Sequence, residues 1–116
     1  MKLNMKLVGF VAALAAMGTQ SALADDASCK TVRFADVGWS DIAATTGMAS
    51  VVLEGLGYKP TVTIASIPIA FAGMKKKQID VFLGYWNPSM TPQIEPFVKA
   101  GDIKVLETPN LVGAKY

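Results

Sequence analysis

Asp80-Val81-Phe82-Leu83-Gly84-Tyr85-Trp86-Asn87-Pro88-Ser89 carries the strongest structural signal in the sequence. Val81 to Leu83 has the character of a buried strand. The run stops at Gly84, passes to two adjacent aromatics, and ends in a Pro-Ser turn that opens a helix. A core tryptophan ordinarily sits inside its apolar run. Trp86 instead follows a glycine and precedes residues of loops and helix starts, which suits a binding surface better than core packing. The other of the two tryptophans, Trp39, stands in a matching place. Val32-Arg33-Phe34-Ala35-Asp36-Val37 reads as a strand, Gly38 ends it, and Ser40-Asp41 open a helix.

Around these two turns the chain alternates strand and helix. The first helix is expected to take Ser40 or Asp41 as N-cap and to carry Ile42, Thr45, Ala49, Val52 and Leu56 on one face. Thr46, Ser50 and Glu54 fall opposite, and Gly57 is the stop. Thr61-Val62-Thr63-Ile64 reads as a β-branched strand after Pro60. Ser66 caps a second helix with Pro68 in its first turn, ending in Lys75-Lys76-Lys77, a solvated end that complements the helix dipole. A third helix includes Gln93 to Ala100, with Pro92 in its first turn, Pro96 an irregularity and Gly101 the stop. Ile103-Lys104-Val105-Leu106 reads as a fourth strand, and Leu111 to Tyr116 as a further extended piece.

Such alternation implies right-handed β-α-β crossovers, hence an α/β fold: a parallel sheet in three layers, with helices on both faces. Ligands of these sheets bind beyond the carboxyl ends of the strands, where the strand order reverses. With an order beginning 2-1-3, the strands leading to Trp39 and Trp86 are neighbours at that point, and the two indoles flank one crevice.

The N-terminus reads as a targeting segment. Lys2 and Lys6 make a basic start, Leu7 to Met17 is an apolar run, and Ala22-Leu23-Ala24 is a small-x-small cleavage site, so residues 1–24 form a signal peptide and the mature protein starts at Asp25. The apolar run is shorter than the about 20 residues that span a bilayer, and no stable membrane insertion is expected after cleavage. With Lys2 and Lys6 set aside, the eleven basic residues of the chain fall to nine, equal to the nine acidic ones. A near-neutral mature chain argues against a nucleic-acid or anionic-membrane surface. Residues 25–116, roughly ninety, suffice for one small domain.

Enzymatic chemistry lacks its usual parts. The sequence has no His, one Cys, and no Gly-x-Ser-x-Gly elbow, so a nucleophile has no base beside it. Metal ligation is equally poorly supplied, no phosphate-cradling glycine loop appears, and no cofactor is expected. As the one cysteine of the sequence, Cys29 cannot form a disulfide within the chain. A bridge would need another chain or further sequence, and the alternative is a free buried thiol.

Two indoles, a tyrosine and a carboxylate suggest a ligand cation held by ring faces. A quaternary ammonium has no N–H to donate, whereas the negative faces of Trp and Tyr attract it at roughly 0.5 to 2 kcal/mol per contact. Asp41 could supply charge or accept a ligand hydroxyl. As an N-cap it would be occupied by backbone N–H groups instead.

The signal segment, Phe34-Ala35-Asp36-Val37-Gly38-Trp39-Ser40-Asp41, the acidic strand start at Asp80, and Gly84-Tyr85-Trp86-Asn87-Pro88-Ser89 together resemble the N-terminal part of glycine betaine/choline-type periplasmic substrate-binding proteins of ABC importers. The resemblance implies one lobe, incomplete, of a type II periplasmic binding protein, with residues 25–116 the N-terminal part of the substrate-binding domain and the second lobe absent. It implies a small quaternary ammonium ligand, choline or a betaine, and a membrane permease as partner. By the same resemblance Trp39 and Trp86 match cage tryptophans, Asp41 the acidic residue near the ligand hydroxyl, and Tyr116 a cage tyrosine. A split or truncated product that serves only as an interaction module is the rival expectation.

Overall fold

The computed structural model describes residues 27–113. The signal segment, residues 1–24, and Tyr116 lie outside the described residues. A short 3-10 turn, Ala27–Lys30, leads into β1 (Thr31–Asp36), followed by α1 (Ser40–Gly55), β2 (Lys59–Ile64), α2 (Ile67–Lys75), β3 (Val81–Phe82) and α3 (Thr91–Lys99). The strands form one parallel sheet in the order β2-β1-β3. The chain thus steps from β1 to β2 in one direction and returns past β1 to reach β3. With right-handed crossovers, the rule for parallel units of this kind, that reversal puts α1 and α2 on opposite faces of the sheet. The expected α/β architecture, with the order reversing at β1, is what the chain adopts.

The core divides along the alternation of β1. Ala35 packs with Ala70 and Ile79, and Met74 and Phe82 lie against them. Phe71, Ile94 and Ile103 form a second cluster with Tyr85 and Phe97. The Phe71 ring meets Phe82 edge-on at 5.9 Å between centroids. Burying each such side chain contributes roughly 1.5–3 kcal/mol. Phe34, also buried, points to the other face, as the two-residue period of a strand requires.

The two glycines expected to stop helices do so by the same device. Gly57 has φ +85°, donates its N–H to Glu54 O at 2.9 Å, and lets Tyr58 N–H reach Leu53 O at 2.9 Å. Gly101 has φ +75°, with Gly101 N–H on Val98 O at 3.0 Å and Asp102 N–H on Phe97 O at 2.9 Å. Both are Schellman closures, which satisfy the last carbonyls of a helix and favour glycine at the left-handed position. Pro60 falls within β2, where an edge strand tolerates a missing N–H. Helix α3 runs through Pro96.

Four local expectations are corrected. The N-cap of α1 is Trp39, not Ser40 or Asp41, which are the first two helical residues. The inner face of α1 is the expected one only in part: Ile42 is buried and Thr45 and Ala49 are half-buried, but Val52 and Leu56 are 62% and 66% exposed, and Thr46, expected opposite, is 1% exposed. Apolar and small residues ring this helix, so periodicity selects no face, and contact with β1 and β2 decides it. Residues 103–106 form no strand. Ile103 is drawn into the core beside Phe71 and Ile94, while 104–106 remain exposed and do not pair with the free edge of the two-residue β3. Residues 111–113, likewise expected to be extended, contain no strand.

Candidate functional site

The register of β1 and β3 sets the geometry of the site. Phe34 stands opposite Val81 and Ala35 opposite Phe82. One step earlier, Arg33 and Asp80, 47 residues apart, hold each other through side chain and backbone. Trp39 and Trp86 have the same separation of 47 residues. Each follows within a few residues the carboxyl end of one of two adjacent parallel strands, Asp36 of β1 and Phe82 of β3. The turns that carry them also touch through their neighbours. Gly84 is buried, and a Cβ there would come within 2.8 Å of Ile42 Cδ1 and 2.8 Å of the Phe82 ring. Only a residue without a side chain lets the start of α1 lie this close to the exit of β3.

On the β1 side, the Asp36 carboxylate accepts the Gly38 N–H at 2.7 Å, Gly38 takes φ +81°, and Trp39 follows with 43% of its surface exposed. Ala43 N–H donates to Trp39 O at 2.9 Å, which starts α1. Asp41 is half-buried in the first turn, where the helix dipole favours its charge. Its carbonyl accepts the Thr45 hydroxyl at 2.8 Å. Since Trp39 holds the N-cap position, the carboxylate of Asp41 does not serve as the cap.

On the β3 side the two adjacent aromatics part. Tyr85 packs against the Phe71 cluster, with its hydroxyl 3.0 Å from Thr91 Oγ1. Thr91 in turn donates to Asn87 Oδ1 at 3.1 Å; a threonine hydroxyl has one hydrogen, so Tyr85 is the donor to Thr91. Trp86 is half-buried. Its carbonyl accepts the Met90 N–H at 2.9 Å and the Ser89 hydroxyl at 3.2 Å, and its own N–H meets Met90 Sδ at 3.5 Å. Met90 is 3% exposed and so anchors the turn from below. The Asn87–Pro88 peptide within it is cis.

Trp39, Asp41 and Trp86 are thus brought to one end of the sheet. Asp36 had not been singled out as a site residue; its signal was an acidic residue two before a glycine at a strand's end, a common side-chain-to-backbone turn pattern. Among the described residues no group of three or more His, Cys, Asp or Glu is placed to hold a metal. A surface groove lined by Thr63, Ala65, Ile69, Gly73 and Lys76 runs between β2 and α2 and includes neither tryptophan. Cys29 is exposed rather than buried.

An α/β lobe with paired indoles beyond adjacent strand ends is the framework of a ligand-binding domain. Residues 30–116 match the family model described as the substrate-binding domain of the ABC-type glycine betaine transport system, and the chain belongs to that family. It is similar to the uncharacterized protein ORF1 of Chromohalobacter salexigens, with 52% identity over 88 residues, which are 76% of this chain and 56% of that protein. It is also similar to a solved ABC-transporter choline binding protein in complex with choline, at 48% identity and a TM-score of 0.65, over 66% of this chain and 27% of that one. The unliganded semi-closed form of a choline binding protein matches at 50% identity and a TM-score of 0.60, over 64% and 26%. The chain therefore spans just over half of the first relative and about a quarter of the solved choline-binding chains. Among the described residues no helix is long and apolar enough to cross a membrane.

Proposed function

We propose that the protein is the periplasmic solute-binding component of an ABC importer, which captures choline by its quaternary ammonium and delivers it to a membrane permease. The observation that carries this reading is that Trp39 and Trp86 each follow the carboxyl end of one of two adjacent parallel strands, in a chain similar to choline-binding proteins. The indole faces attract the cation, and Tyr116 adds a third ring. Asp41 accepts the choline hydroxyl and supplies negative charge. Glycine betaine, the ligand in the family's description, is the second reading. It carries a carboxylate that an anionic Asp41 would repel, which favours choline. Export follows from the signal segment, with cleavage after Ala24.

In this proposal the cage is completed by a second lobe. Exposed cation-π contacts are worth about 0.5 to 1 kcal/mol each, against about 2 when desolvated. Two or three exposed rings thus give roughly 1 to 3 kcal/mol, less than the about 4.1 kcal/mol of a millimolar complex. Calorimetric titration of the 116-residue chain with choline should give a Kd no tighter than millimolar. A protein carried on through a second lobe should reach micromolar or better, with glycine betaine weaker. In that longer protein Trp86→Ala should weaken choline at least about tenfold, equivalent to about 1.4 kcal/mol. Micromolar binding by the 116-residue chain would refute the two-lobe reading, and an unchanged affinity in Trp86→Ala would remove the aromatic cage.

A further inference from the structure

We infer that Asp36 is a positioning residue for the Trp39 side of the site: its buried carboxylate holds the turn that aims the indole. This rests on the proposed cage reading. The observations are local and independent of any ligand. Asp36 is 7% exposed at the end of β1, and its Oδ1 lies 2.7 Å from Gly38 N, the short distance of a charge-assisted bond. Gly38 sits at φ +81° with nothing within 4 Å of where a Cβ would be. The backbone conformation, and not a crowded environment, is therefore what calls for glycine there. Trp39 then leaves with φ −89° and ψ 140° into the start of α1.

With 43% of its surface exposed, Trp39 has limited packing to hold it, so its direction depends on the backbone beneath it. Asp36 ties that backbone to a second turn as well, because its carbonyl accepts Ala65 N–H at 2.8 Å, next to Ser66 at the start of α2. What holds the turn is the buried acceptor oxygen beneath the Gly38 N–H. It lends the turn rigidity: a ring already held where a cation will sit loses less freedom on binding.

The test uses the 116-residue chain labelled with nitrogen-15, whose two tryptophans give two indole Nε1–H signals, assigned with Trp86→Phe. In Asp36→Ala the ligand-free Trp39 indole should become more mobile by its heteronuclear relaxation, and its choline-induced shift at a fixed subsaturating concentration should fall by about threefold or more. The ligand-free Trp86 signal should stay in place. Asp36→Asn keeps an acceptor oxygen and should restore the Trp39 relaxation. If Asp36→Ala does not fold, Gly38→Ala disturbs the same turn while leaving the carboxylate in place, and should loosen Trp39 alone. A Trp39 indole as rigid as wild type in folded Asp36→Ala, or in Gly38→Ala, would overturn the proposal, as would an Asp36→Asn protein as mobile as Asp36→Ala. Choline shifting neither indole in the wild-type chain would instead count against the cage, and the relaxation comparison would still decide the role of Asp36.

Discussion

Tyr85 and Trp86 are adjacent in sequence and opposite in role. Tyr85 spends its ring on the Phe71 cluster and its hydroxyl on Thr91, so the turn can expose part of Trp86 without losing its anchor in the core. A second residue with an unexpected position is Thr46, 1% exposed with its hydroxyl lacking a partner among the described residues. A buried hydroxyl without a hydrogen bond costs its desolvation, on the order of 1–3 kcal/mol, whereas an apolar group of the same shape does not. Valine keeps the branched shape. Thr46→Val should therefore raise stability by about 1 kcal/mol, seen as a higher urea midpoint with an unchanged slope. A lower midpoint would show that the hydroxyl is satisfied in solution.

Helix α1 turns Met48, Val51 and Val52 to the exterior, at 72%, 68% and 62% exposure. Val52→Lys should consequently change the stability of this chain by no more than about 0.5 kcal/mol, as for other surface substitutions. Urea unfolding checks it, and a loss of several kcal/mol would restore Val52 to the core. Arg33 and Asp80 hold each other at the start of the β1–β3 ladder. Asp80 Oδ2 accepts the Arg33 backbone N–H and Nε–H, each at 2.9 Å, Oδ1 accepts Nη2–H at 2.6 Å, and Asp80 N–H returns to Arg33 O at 2.8 Å. The side-chain hydrogen bonds from Arg33 hold the Asp80 carboxyl below its ordinary value, outweighing a slight desolvation that opposes them. A group depressed in the native state stabilises it above the unfolded pKa, and that contribution fades as pH falls through the lowered native value. Asp80→Asn should thus cost stability at pH 6, and the gap to wild type should narrow below about pH 4. Urea midpoints across that range test this, and a gap that widens in acid would contradict it. Both side chains are partly exposed, at 42% and 35%, so the effect is small and falls with added salt.

At the level of the domain, β1 and β3 act as a ruler. One end of their ladder carries the Arg33–Asp80 pair, and the turns at the other end carry Trp39 and Trp86 in the same register. A slip of two residues would displace one indole by roughly 6.6 Å along the strand, so pairing at one end sets the alignment at the other. Export belongs to this scale too. With cleavage after Ala24, N-terminal sequencing of material recovered from the periplasm should begin at Asp25. A mature protein retaining Lys2 and Lys6 would rule that out.

What the sequence determined by itself was local. Gly57 and Gly101, each just past an expected helix, end it in the left-handed conformation, and alternating strand and helix segments leave few arrangements other than a parallel sheet. The glycine-then-tryptophan exits at Gly38 and Gly84 were legible for the same reason, since each is written within a few residues. The inner face of α1, the inward turn of Tyr85, the part played by Asp36 and the absence of a strand at 103–106 were decided only by the tertiary structure. Each depends on a surface far away in sequence. Ile42 faces inward where Gly84 leaves room for it, and Ile103 is drawn to Phe71 and Ile94. Residues 103–106 likewise leave the free edge of β3 unpaired because Ile103 is committed to the core, which the segment itself does not announce.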